Sequence, residues 1–142
     1  MGSILYYEES GSGFPLILLH GNGESCEYFV HQVAHYEKFF HVIALDTRGQ
    51  GKSPRGTTEY TINQSTADIR EDLVARRPTA IGFSCYLWNI RLVLELAADL
   101  KLLLPDTEIF LGGPEVSYEP PDFFAHHPFI DFILTGEGEL AF

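Results

Sequence analysis

Residues 81–89 read IGFSCYLWN, and they bring a strand to its end at Gly82-Phe83-Ser84. A serine on a sharp strand-to-helix turn can present its hydroxyl as the nucleophile of acyl transfer. The full turn carries a second glycine two residues after the serine, and Tyr86 stands there instead. Acyl transfer also needs a base within hydrogen-bond reach and an acid that orients it. His20 is the candidate base at a neighbouring strand end, with Glu137 or Glu139 two strands further on, yet nothing in the sequence orients its ring. The segment DTRGQGKS ends in Gly-Lys-Ser like a phosphate-binding loop. Asp46 occupies the first glycine position, though, and Pro54-Arg55 follow where a helix should open. The fragments GNG and GEG lack the third glycine of a dinucleotide fingerprint.

Five short apolar runs must position these residues: FPLILLHG, HVIALD, TAIGFSC, EIFLGG and DFILTG. Continuous apolarity marks strands buried on both faces, as in a parallel sheet. Helix chemistry fills the gaps. Ser25 can cap a helix reaching about Phe39. Ser65 and Asp68 have capping-box spacing ahead of a stop at Arg77-Pro78. Between residues 90 and 104, Val93, Leu96, Ala97, Leu100, Leu103 and Leu104 share one helical face before Pro105, and a short helix fits 121–126. This βαβ series predicts one α/β domain over 1–142, a three-layer, doubly wound sheet, with ILYYEESGSG as an extra N-terminal edge strand. Such sheets bind ligands outside the carboxyl ends of their strands. Residues 20–25, 46–53, 84–88, 112–118 and 136–139 fall on that edge, whereas Asp106, His126, His127 and Asp131 fall at the other end.

The chain has 142 residues and a formal net charge of -11, from 20 acidic and 9 basic side chains. That field repels phosphate backbones and anionic lipid, so neither nucleic acid nor membrane is an expected partner. No positive n-region or long apolar stretch is present, and the two cysteines, Cys26 and Cys85, lack metal-ligand spacing. A cytoplasmic protein with two buried thiols is expected.

The motifs PLILLHGNGES and HVIALDTRGQGKS, the latter with its D-x-R-G-x-G-x-S turn, resemble the α/β-hydrolase family. The resemblance implies that the backbone N–H of Asn22 forms part of an oxyanion hole. The family's acid and histidine belong to later strands that have no counterpart in this sequence. Ser84, His20 and Asn22 therefore read as vestigial, and the expectation is that the chain is not an enzyme.

The motifs AIGFSCYLWNI, LPDTEIFLGGPEVSY and FIDFILTGEGELAF resemble a different family, the cobalamin-binding domain of radical S-adenosylmethionine enzymes. That resemblance implies a flavodoxin-like strand order 2-1-3-4-5, with Ser84, Gly112, Gly113, Gly136 and Gly138 facing the cofactor. The family's cobalt-ligating Asp-x-His-x-x-Gly has a partial echo in His20 and Gly23, but Leu18 replaces the aspartate, so no metal ligand is expected. Residues of about 1–60 thus read as hydrolase-like and of about 80–142 as cobalamin-domain-like, with a junction within 56–80. The expected function is an engineered or recombined chimera without catalytic activity or cofactor. The alternatives are a cobalamin-binding module of weakened affinity and a vestigial serine esterase. A last helix expected after Phe142 is absent from the sequence, so the sheet surface it would cover is expected to support a homodimer.

Overall fold

The computed structural model describes residues 5–21, 23–57, 61–118 and 121–136. The expected α/β class holds, with parallel strands and intervening helices. The chain divides into two compact units, residues 1–78 and 79–142.

In the first unit, β1 (Tyr7–Gly11) pairs antiparallel with β3 (His41–Leu45), and β3 pairs parallel with β2 (Pro15–Leu19). The order β1-β3-β2 puts the extra N-terminal strand at an edge, which suits its polar, largely exposed YEESG sequence. β3 is central, and Val42, Ile43, Ala44 and Leu45 are all buried. This is what the unbroken apolar run of a strand covered on both faces predicts. Leu5, Ile43 and Leu45 form a core against which Ile17 and Leu19 pack.

The helices of this unit begin differently from the sequence expectation. Ser25 makes no side-chain cap; its carbonyl accepts from Tyr28 N–H in a 3-10 turn over Cys26–Phe29, and α1 spans only Val30–Tyr36. The turn is tied by Cys26 N–H, which donates to the Asp46 carboxylate. α2 (Ile62–Arg76) opens before the expected capping box, because Thr61 Oγ1 accepts from Gln64 N–H at 3.1 Å. Ser65 and Asp68 lie inside this helix, leaving Asp68 free to meet Arg48. Arg77 closes the helix in the left-handed region at φ 50°.

In the second unit, β4 (Ala80–Ser84), β5 (Glu108–Gly112) and β6 (Phe132–Ile133) are parallel and adjacent in that order. α3 (Ile90–Leu103) buries Val93, Leu96, Ala97 and Leu100, the stripe that its spacing predicts. Leu103 departs from the prediction and is exposed, because the helix ends there and Leu104 turns inward to be buried in its place. Ile81, Ile109 and Leu111 are buried. By strand alternation Phe110 and Phe132 lie on the other face, with rings stacked at 4.9 Å. α4 (Phe123–His126) is a single turn. Among the described residues no helix is long and apolar enough to cross a membrane.

Candidate functional site

The D-x-R-G-x-G-x-S turn follows β3, and its polar residues are engaged within the first unit. Asp46 is fully buried. Its Oδ1 accepts from Cys26 N–H at 2.6 Å and its Oδ2 from Lys52 N–H at 2.7 Å. Burial alone would raise the Asp46 carboxyl, but the two backbone donors outweigh it and hold the group below its ordinary range. Gly51, at φ 53°, is required here because an added Cβ would fall 2.1 Å from Asp46 Oδ2. Ser53 accepts from Tyr6 N–H and donates to the Asp46 carbonyl, both at 2.7 Å. Arg48 grips the buried Asp68 of α2 in a two-pronged ion pair, one bond at 2.9 Å, and this interaction depresses the Asp68 carboxyl. The turn is thus a brace between β1, the 3-10 turn and α2.

His20 belongs to the same brace. Its Nδ1 lies 2.7 Å from the Gly21 carbonyl oxygen, and Thr47 N–H donates to Nε2 at 3.0 Å. A carbonyl only accepts and an N–H only donates, so the ring carries its proton on Nδ1. Both nitrogens are spent, and the side chain is fully buried. His20 therefore has no lone pair to offer a serine proton or a cobalt ion. The neighbouring loop is likewise tied down: Gly21 N–H donates to Glu24 and Gly23 N–H to Gln50. Asn22, the expected oxyanion donor, lies outside the described residues. Burial, then the Asp46 carboxylate, push the Cys26 thiol up to about 11.

The second unit gathers the other candidates at the carboxyl ends of β4, β5 and β6. Ser84 ends β4 with its side chain exposed. The residue after it, Cys85, donates its N–H to the Gly112 carbonyl at 2.7 Å, and its own carbonyl accepts from Glu115 N–H at 3.2 Å. In a nucleophile elbow that Cys85 N–H would have to face a developing oxyanion, and here it is committed to the neighbouring strand. Asn89 closes the turn, accepting from Tyr86 N–H at 2.7 Å and donating to the Ser84 carbonyl at 3.0 Å. Tyr86 and Trp88 stack 4.7 Å apart with planes 8° from parallel, and Trp88 is 80% exposed.

Gly113 lies against this turn at φ 97°, where an added Cβ would come within 2.6 Å of the Cys85 carbonyl oxygen. An open cleft of about 560 Å³ follows, lined by Gly113, Pro114, Ser117, Tyr118, Thr135 and Gly136. Two of the glycines singled out from sequence, Gly113 and Gly136, line it. Gly112 lies beside it at the end of β5, and Gly138 lies outside the described residues, as do Glu137 and Glu139. Ser117 was not anticipated. Its only sequence signal is a serine four residues after Gly113, within the edge segment 112–118. The residues expected at the opposite end have structural work there. Lys101 holds Asp131 at 2.8 Å, and Asp131 also accepts from Ile109 N–H.

Residues 15–85 match the alpha/beta hydrolase fold family, and residues 56–142 match the B12 binding domain family. The chain belongs to both families. The two matches overlap over residues 56–85. A 2-(S-pantetheinyl)-carbapenam-3-carboxylate methyltransferase of Streptantibioticus cattleyicolor is 43% identical over 65 residues, which are 46% of this chain and 10% of that protein. An (E)-2-((N-methylformamido)methylene)succinate hydrolase of Acinetobacter baylyi is 44% identical over 48 residues, 34% of this chain and 18% of the hydrolase. Among solved structures, a marine microorganism esterase superposes with a TM-score of 0.57 at 20% identity, covering 88% of this chain and 48% of the esterase. At that identity the likeness is one of fold. The expectation that the chain is not an enzyme is corrected by these matches, because the relatives of both its parts are named enzymes. The chain spans only about a tenth to a fifth of the curated relatives just described.

Proposed function

We propose that the second unit is a cobalamin-binding module and that the longer protein it belongs to transfers methyl groups. The observation that carries this reading is the cleft at the carboxyl edge of β5 and β6, where Gly113 and Gly136 leave bare backbone at the mouth. The residues fit a broad cofactor held from its sides. An added Cβ at Gly136 would meet nothing within 4 Å, so a flat ligand can approach the backbone closely there. The stacked Tyr86–Trp88 pair, on the loop after β4, offers an exposed apolar plane of the kind a macrocycle lies against. The match to the B12 binding domain and the methyltransferase relative support the same cofactor.

Bound cobalamin would supply a cobalt centre able to carry a methyl group. The chain's part is to hold and orient it through Gly113, Ser117, Thr135 and Gly136. His126 and His127 precede β6, at the far end of that strand from the cleft, and His20 has both nitrogens committed. This geometry supports a cofactor held by loops without a protein imidazole. The committed Cys85 N–H favours this role over hydrolysis at Ser84.

The test is gel filtration after incubation with hydroxocobalamin, following visible absorbance. Colour co-eluting with the protein peak is expected; a sharp, colourless peak overturns the reading. The presence of both family matches in one chain further supports a recombined origin. A contiguous genomic reading frame encoding both parts would count against an engineered join.

A further inference from the structure

The cleft of the second unit is bounded by loops from two strands, and one side chain touches both. The Ser117 hydroxyl donates to the Gly113 carbonyl at 2.9 Å and accepts from Gly136 N–H at 3.4 Å. We propose that Ser117 is a positioning residue for this cleft: its hydroxyl ties the loop after β5 to the loop after β6 and sets the gap a ligand must enter. The proposal rests on the cobalamin reading of the cleft and names the residue that governs its fit.

The two loops are held unequally. Gly113 is pressed against the Cys85 backbone, with no room for a single added carbon, so its loop is anchored to the end of β4. Gly136 has open space where a side chain would be, and its φ of 78° suits glycine, so side-chain packing does not fix it. Ser117 therefore links an anchored loop to one that needs a link. A hydroxyl can do this because it has one proton to give and lone pairs to accept with, and both bonds use these in opposite senses. Alanine removes both bonds, whereas threonine keeps the same hydroxyl. The bond to Gly136 is longer than an ordinary N–H···O bond, so the firmer of the two ties is the one to the Gly113 carbonyl.

The test compares the full chain with its Ser117→Ala and Ser117→Thr variants. The Gly136 amide resonance is followed by NMR in the free proteins, and hydroxocobalamin affinity by absorbance titration. Ser117→Ala is expected to shift the Gly136 amide and to weaken hydroxocobalamin about threefold to tenfold, the range that loss of one or two such bonds implies. Ser117→Thr is expected to restore both. An alanine variant that binds as tightly as the parent, or a threonine variant as weak as alanine, overturns the proposal. If the parent chain takes up no hydroxocobalamin, the cofactor reading fails on its own account. The Gly136 amide then still decides the strut: a shift in Ser117→Ala sustains it, and an unmoved resonance removes it.

Discussion

Replacing Asp46 with alanine removes the acceptor on which two backbone N–H groups depend. The Cys26 donor is buried and the Lys52 donor is partly buried, at 2.6 and 2.7 Å from separate carboxylate oxygens. Each bond to a charged acceptor contributes about 1.5–3 kcal/mol, and the orphaned donors gain no replacement from a methyl group. With one donor partly reachable by water, the expected loss is about 4 kcal/mol, a large fraction of the 5–15 kcal/mol typical of a domain. Asp46→Asn keeps one acceptor oxygen but turns an amide donor toward the other N–H, so its expected loss is about 2 kcal/mol. The assay is urea denaturation followed by far-ultraviolet circular dichroism at neutral pH. The sign of the pH dependence is also fixed. Asp46 has a lower carboxyl pKa folded than unfolded, so its contribution is present above the unfolded value of about 4. It is lost as pH falls from there through the folded value. The gap between the parent chain and Asp46→Asn should therefore be full at neutral pH and close under acid. An alanine variant within about 0.5 kcal/mol of the parent would refute the brace assigned to this turn.

The remaining predictions concern one substitution and one thiol. Gly113→Ala forces a side chain onto φ 97° and into the Cys85 backbone, and should cost about 3 kcal/mol or more, read as a lowered melting temperature; an unchanged melt would mean the loop can move away. Cys26, buried and with its thiol raised to about 11, should resist a disulfide reagent at pH 8 until the chain is unfolded in urea. Rapid labelling of the folded chain, mapped to Cys26 by peptide analysis, would contradict its burial against Asp46.

The sequence by itself determined the class of fold, and it put Gly113 and Gly136 on the edge where they line the cleft. Unbroken apolar runs such as HVIAL mark strands covered on both faces, and β3, central between antiparallel β1 and parallel β2, is buried from Val42 onward. The stripe Val93, Leu96, Ala97 and Leu100 fixed one face of α3 through helical periodicity alone. Both family resemblances were legible too, because D-x-R-G-x-G-x-S and the Gly-Gly and Gly-Glu-Gly motifs are short patterns local in sequence. The occupation of those patterns by the chain itself was not legible. Hydrogen bonds between residues far apart in sequence exist only when the strands are brought side by side. The ring of His20 is spent on Thr47, 27 positions away, and the N–H of Cys85 on Gly112. Thr61 took the helix cap from Ser65 because capping depends on where the backbone leaves extended geometry, which spacing alone leaves open. Ser117 carries no motif of its own. It acquired a role only when parallel pairing of β5 and β6 brought the loops of Gly113 and Gly136 within reach of one hydroxyl.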